Sequence, residues 1–146
     1  MTVKAAVVEG VRTPFVKAGT KFKNISMQKL GAHTLSALVK RSELDPIQID
    51  KISFGAVLLD ARTPNWAREI LFEAGLPEEV YAQSVSNNCI SGLVSVVDCV
   101  QSINLGKSQI CIAGGAESMS LPPILFRERA AKLFSNLTWA LSLIHI

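Results

Sequence analysis

Val85–Gly106 reads VSNNCISGLVSVVDCVQSINLG, and the placement of its polar and apolar residues decides how the rest of the chain is read. Counting back from Gly106, a residue suited to the left-handed position after a helix, Ile90, Leu93, Val94, Val96, Val97, Val100 and Ile103 fall nearly all round a helical wheel. The pattern predicts a buried helix. Ser86, Asn87 and Asn88 just before it are good N-caps, which puts Cys89 in the first turn. Unpaired N–H groups and the helix dipole favour negative charge there, so the position suits a nucleophilic thiolate. Cysteine is also a common small core residue, and spacing alone leaves both readings open.

Outward from that helix, short apolar runs alternate with helical patterns. Val3–Val8 is a continuous run with β-branched members and reads as a central strand buried on both faces. From Ser26 to about Arg41, Met27, Leu30, Leu35, Leu38 and Val39 recur at helical spacing. His33 lies on that helix as a surface or packing residue. Asp45-Pro46 opens a short helical turn, and Lys51–Leu59 returns as a second strand. Thr63-Pro64 repeats the device before a helix over Asn65–Ala74 that Gly75 closes, with Trp66 as a core anchor. Val80–Ser86 and Ile110–Ala113 are the third and fourth strands, the latter ended by Gly114-Gly115, with Glu117 in the turn that follows.

Strands alternating with helices in this way imply an α/β fold, with a mostly parallel sheet covered by helices on both faces. Functional residues in such sheets gather beyond the carboxyl ends of the strands, where Cys89 falls. Cys99 is ten residues further on, roughly 15 Å along the helix axis, and cannot share that site. Cys99 and Cys111, in mid-strand, are read as core residues. Past Pro122-Pro123, Ile124–Asn136 reads as an amphipathic helix, and Leu137–Ile146 is apolar but too short to span a bilayer.

With 49% hydrophobic and 18% charged residues in 146, the chain has the composition of one globular domain and not of a disordered one. The net charge of +3 is scattered from Lys4 to Lys132, which gives nucleic-acid binding little support but suits an anionic ligand. Three cysteines without a CxxC pair or a Cys/His pattern argue against zinc and against a disulfide framework, and fit a reducing compartment. A strand-like run at the start, without a signal or transit pattern, makes the cytoplasm the simplest address, or the mitochondrial matrix if a transit peptide precedes it.

The stretch V-S-N-N-C-I-S-G-L-V-S-V resembles the active-site segment of the thiolase family. V-E-G-V-R-T-P-F at Val8–Phe15 and A-G-G-A-E-S-M-S at Ala113–Ser120 agree with the family in the same order, and N-W-A-R-E at Asn65–Glu69 resembles its Asn-x-Ala-Arg segment. The resemblance runs over about Val3–Ala140 and implies that Cys89 is the nucleophile acylated by an acyl-CoA, its backbone N–H a candidate oxyanion donor. It implies CoA and acyl-CoA as substrates, no permanently bound cofactor and no metal. It also implies a parent protein that is a homodimer, a homotetramer or a subunit of a β-oxidation complex, with a pattern nearest the trifunctional-enzyme β-subunit type.

The reaction so implied is thiolysis of a 3-ketoacyl-CoA or the reverse Claisen condensation. Its remaining parts in the family are a Gly-His-Pro motif, a second cysteine in Cys-x-Gly-Gly and an Asn-Glu-Ala-Phe segment, and none occurs here, His145 and His33 being the only histidines. The chain therefore reads as a thiolase fragment, inactive as written: residues 1–120 a partial N-terminal domain lacking its last strand, 121–140 the start of an inserted loop domain. Residues 141–146 resemble translated sequencing-adapter read-through and read as a non-native tail. The alternatives are a fragment of a related ketoacyl or hydroxymethylglutaryl-CoA synthase, or a non-catalytic acyl-CoA-binding module. Without a second half, the apolar helix after Cys89 is expected to lose part of its cover.

Overall fold

A computed structural model describes residues 5–58, 60 and 62–121, together with 128, 130, 132, 133 and 136. In chain order the elements are α1 (Met27–Ser42), a 3-10 turn (Pro46–Gln48), β1 (Lys51–Gly55), α2 (Trp66–Glu73), β2 (Tyr81–Val85), α3 (Ser91–Asn104) and β3 (Cys111–Gly115). The three strands form a parallel sheet in the order β2-β1-β3, with Lys51 level with Tyr81 on one side and Cys111 on the other. Because strand side chains alternate in direction, Ile52 and Phe54 enter the core with α1 and α2, while Lys51 points to α3 on the opposite face. The expected α/β architecture, a parallel sheet with helices on both faces, is the observed one.

Local chemistry explains most of the boundaries. Ser26 caps α1 by accepting the Lys29 N–H, and Glu43 closes it in the left-handed conformation at φ 54°. Asp45 accepts the Ile47 N–H with Pro46 in the first helical position, as the sequence predicts. Leu35, Ile52, Ile70 and Leu71 are almost wholly buried. Each stabilises the fold by about 1.5–3 kcal/mol relative to exposure. Trp66 anchors α2 to the sheet through its indole Nε1–H, which donates to the Phe54 carbonyl at 2.9 Å.

Four expectations are corrected. Residues 5–8 of the run Val3–Val8 are not a strand, and Val7 and Val8 are 89% and 90% exposed. The reason is that β1 and β3 pair directly along all five residues, so their facing N–H and C=O groups are spent and no slot is left between them. Gly114 and Gly115 are the last two residues of β3, which runs over Cys111–Gly115 and not Ile110–Ala113. At α2 the cap is Asn65, not Thr63 with Pro64. The fourth concerns α3, whose buried, sheet-facing residues are Ser91, Ser95, Cys99 and Ser102 and not the apolar ones, while Ile90, just ahead of it, and Leu93, Val96 and Val97 are exposed, in line with the loss of cover expected for this helix. Small side chains face the strands because the approach is close: a Cβ on Gly55 would lie 2.4 Å from the Ser91 carbonyl carbon.

Past Leu121 the described residues Glu128, Ala130, Lys132, Leu133 and Asn136 are helical, and Lys132 Nζ meets Glu128 Oε1 at 2.8 Å. The remainder of the helix expected over Ile124–Asn136, the end of the strand at Leu59, His145 and the whole of Leu137–Ile146 lie outside the described residues.

Candidate active site

Cys89 stands on the turn that joins β2 to α3, beyond the carboxyl end of β2, and its side chain is exposed. The turn is tightly made. Asn88 adopts the left-handed conformation at φ 48°, which asparagine tolerates better than most side chains. The Ile90 N–H donates to Asn87 O at 3.3 Å and the Ser91 N–H to Asn88 O at 3.1 Å. The Ser91 hydroxyl accepts the Asn87 N–H at 2.8 Å and faces both Asn88 O at 2.6 Å and Ala56 O at 3.3 Å.

This turn moves the helix start. α3 begins at Ser91 with Ile90 in the cap position and no side-chain cap, so Cys89 is one residue ahead of the cap and not in the first turn. Ser86, Asn87 and Asn88 do not cap it, because the left-handed Asn88 and the Ser91 hydroxyl close the turn first. The thiol still lies beside the opening turn, where N–H groups have no partner within the helix.

Glycines set the floor beneath. A Cβ on Gly55 would collide with Ser91 and with the Gly92 nitrogen at 2.7 Å, and one on Gly115 would lie 3.5 Å from Gly92 Cα and 3.1 Å from Gly55 O. Gly114 leaves room for the Phe54 ring, which a Cβ there would meet at 2.9 Å. The Gly-Gly pair thus lets the start of α3 rest on the ends of β1 and β3. Glu117 has a structural task in the same place: its Oε2 accepts the Val57 and Leu58 N–H groups at 2.8 and 3.0 Å, fastening the loop after β1 to the end of β3. Ser118 Oγ donates to Ile25 O at 2.9 Å and Ser120 Oγ accepts the Gly19 N–H at 2.9 Å, which ties the same segment to the approach to α1.

The Asn65 segment is structural too. Asn65 Oδ1 accepts the Arg68 N–H at 3.1 Å and the Ser84 hydroxyl at 2.8 Å, and its Nδ2 donates to Ala82 O at 3.3 Å, locking α2 to β2 just upstream of the Cys89 turn. Arg68 reaches the Glu78 and Val80 carbonyls at 2.7 and 3.1 Å. Ser91, Gly55 and Ser84 escape sequence reading because none carries a distinctive pattern; the S-G pair after Cys89 was their nearest signal.

The structure does not bring the other expected residues to Cys89. His33 is exposed on α1 beside a cleft of about 450 Å³ lined by Arg12, Pro14 and Phe22. Cys99 is buried, its Sγ directed at Ile112 O at 3.7 Å, and burial pushes its thiol up to about 12, with Cys111 and Asp98 adding to the effect. At the opposite end of the strands Lys51 Nζ meets Asp98 Oδ1 at 2.8 Å, and the Asp50 carboxylate is held below its usual range by the Gln109 and Ile110 N–H groups. Among the described residues no group of three or more His, Cys, Asp or Glu could hold a metal, and no helix is long and apolar enough to cross a membrane.

Residues 5–138 match the family model described as "Thiolase, N-terminal domain". A 3-ketoacyl-CoA thiolase of Shewanella sediminis is 38% identical over 139 residues, covering 95% of this chain and 32% of that protein. One of Aeromonas salmonicida is 39% identical over 140 residues, covering 96% of this chain and 32% of that protein. Among solved structures, an acetyl-CoA acetyltransferase of Bacillus anthracis superposes with a TM-score of 0.78 at 29% identity, covering 82% of this chain and 30% of that one. A thiolase of Ascaris suum in complex with coenzyme A gives 0.77 at 28% identity, with 81% and 31% covered. The chain spans about a third of the length of the curated relatives it matches, 32% for both named here. Motifs, fold and matched residues agree, and the chain belongs to the thiolase family.

Proposed function

We propose that Cys89 is the acyl-accepting nucleophile of an acyltransferase that moves an acyl group between this thiol and coenzyme A. The observation that carries the reading is an exposed thiol fixed on the turn between β2 and α3, in the segment by which the chain resembles thiolases. In one half of the reaction a base takes the Cys89 proton and the thiolate attacks the 3-keto carbon of a 3-ketoacyl-CoA. The sulfur–carbon bond forms, the C2–C3 bond breaks, and its electron pair leaves with acetyl-CoA, which an acid protonates. In the other half the CoA thiolate attacks the Cys89 thioester, releasing a shortened acyl-CoA and the free enzyme thiolate. The reverse sequence is the Claisen condensation.

CoA and acyl-CoA are substrates in this reading, supported by the coenzyme A complex of the Ascaris suum thiolase. The 3-ketoacyl-CoA thiolase names of the relatives support β-oxidation, and a cytoplasmic address belongs to the same reading. The 146 residues alone contain neither a Gly-His-Pro nor a Cys-x-Gly-Gly motif to supply the base and acid, so in them the Cys89 proton goes to water or buffer and the thiol accepts an acyl group from acyl-CoA without turning over.

The test is peptide-mapped mass spectrometry of the chain after exposure to an acyl-CoA and, separately, to a limiting alkylating reagent near neutral pH. Acylation confined to Cys89, with fast alkylation there that is lost on unfolding, is the expected result. Equal rates at Cys89, Cys99 and Cys111 would overturn the assignment, and acyl-CoA binding without any adduct would favour a non-catalytic binding module.

A further inference from the structure

We propose that Ser91 is the positioning residue of the site: its buried hydroxyl, reaching back past Cys89 to the Asn87 N–H and the Asn88 carbonyl, fixes where the Cys89 sulfur stands. This rests on the reading of Cys89 as nucleophile. Ser91 is 3% exposed, yet its hydroxyl is fully used. It accepts the Asn87 N–H at 2.8 Å, and its single proton goes to Asn88 O at 2.6 Å, with Ala56 O as second acceptor at 3.3 Å. Two of these groups belong to the residues just before Cys89, the third to the residue that follows β1, and the hydroxyl itself to the second residue after Cys89. The hydroxyl therefore bridges the strand that leaves the sheet, the left-handed residue before Cys89 and the first residue of α3.

No other side chain is hydrogen-bonded to the turn's backbone among the described residues, because α3 has no side-chain cap. Without the Ser91 hydroxyl, the Asn87 N–H and one lone pair of Asn88 O would lose that partner, next to the close contact between Gly55 and the Ser91–Gly92 backbone. The left-handed Asn88 would also keep only one of the two hydrogen bonds its carbonyl accepts, that from the Ser91 N–H, and the turn would relax toward an ordinary conformation. Cys89 would then sample several positions relative to the opening turn of α3. A reacting sulfur misplaced by about 1 Å can lose on the order of a hundredfold in rate.

Thr and Val at position 91 have the same shape and differ only in the hydroxyl, so the pair separates the hydrogen bonds from packing. Ser91→Thr, Ser91→Val and the parent chain are compared by amide hydrogen exchange at Asn87–Ser91 and by the rate of Cys89 acylation with acetyl-CoA, with Cys99 alkylation reporting the integrity of the fold. In Ser91→Val the Asn87 amide should exchange about tenfold faster than in Ser91→Thr, the loss of one half-buried hydrogen bond. Cys89 acylation should fall by a similar or larger factor, while Cys99 stays protected in both. Equal exchange in the two variants, or faster exchange with unchanged acylation, would overturn the proposal. Failure of the parent chain to be acylated at Cys89 would instead defeat the nucleophile assignment, a result the exchange data do not mimic.

Discussion

A side-chain carbon on Gly55 would stand 2.4 Å from the Ser91 carbonyl carbon, so the last residue of β1 and the first of α3 touch backbone to backbone. Neither partner can rotate out of the way, since a Cβ is fixed by its own backbone and the Ser91 atom belongs to the main chain. Gly55→Ala must lift the start of α3 off the sheet, at a cost of about 1–3 kcal/mol, in the range for overpacking. The urea midpoint should fall accordingly, and the Asn87 amide should exchange faster as the Cys89 turn shifts. Gly10→Ala is the control, with open space around its Cβ and no positive φ. Similar midpoints for the two variants would show that the close approach does not hold α3 in place.

Cys99 gives the fold an alkaline limit. Burial raises its pKa from the ordinary 9.0 to about 12, with Cys111 and Asp98 adding to the shift and Lys51 opposing it. The unfolded chain loses this proton above 9.0, whereas the folded chain keeps it until about 12. The thiol's contribution to stability is therefore whole below 9.0 and is lost as pH rises through that window. Urea midpoints measured across it should decline in the parent chain and decline less in Cys99→Ala. An identical slope in both would assign the alkaline limit to other groups.

What the sequence made legible was chemistry of short range. Asp45 with Pro46, Ser26 at the head of α1 and Gly75 at φ 75° after α2 all act as their residue types require, and the alternating strands and helices come out in order. The indole of Trp66 was placed in the core, where it is. Two readings failed for reasons of longer range. Val3–Val8 has the composition of a central strand, but composition does not say whether two other strands will pair with each other first, as β1 and β3 do. In α3 the apolar side chains are the conspicuous ones, yet close packing over Gly55 and Gly115 selects Ser91 and Ser95 for the sheet side. A hydrophobic wheel cannot register a preference for small volume. The Cys89 turn was located but not drawn, since its left-handed Asn88 and its link to Ser91 depend on where β1 ends.

Lys51 is 7% exposed, with Nζ 2.8 Å from Asp98 Oδ1 and 5.5 Å from the centroid of the Tyr81 ring. Among the described residues Asp98 Oδ2 has no hydrogen-bond partner, so the carboxylate depends there on this one lysine. Lys51→Met strands it and should destabilise by about 3 kcal/mol, the lower end of the range for broken buried pairs, because the Asp98 side chain keeps 22% exposure. Combining it with Asp98→Leu removes the stranded charge and should recover most of the loss. The check is a double-mutant cycle of urea midpoints; costs that simply add would mean the two residues do not depend on each other.

The outward side of α3 predicts how the chain behaves in solution. Leu93 is 64% exposed, Val97 46% and Val96 37%, and Ile90 and Leu105 at the two ends are 53% and 69% exposed. Apolar side chains aligned along one helix make a continuous patch, which water disfavours and which copies of the chain can cover by associating. Leu93→Glu combined with Val97→Lys breaks the patch at its centre and places an acid one helical turn before a base. That spacing adds about 0.2–0.5 kcal/mol to the helix, so the change does not trade association for unfolding. Light scattering over a range of concentrations should show mass rising with concentration for the parent chain and a constant monomer mass for the double variant, with the same helical circular dichroism. If the variant associates as strongly as its parent, α3 is not the adhesive surface, and the exposed run at Val7 and Val8 is the next to be substituted.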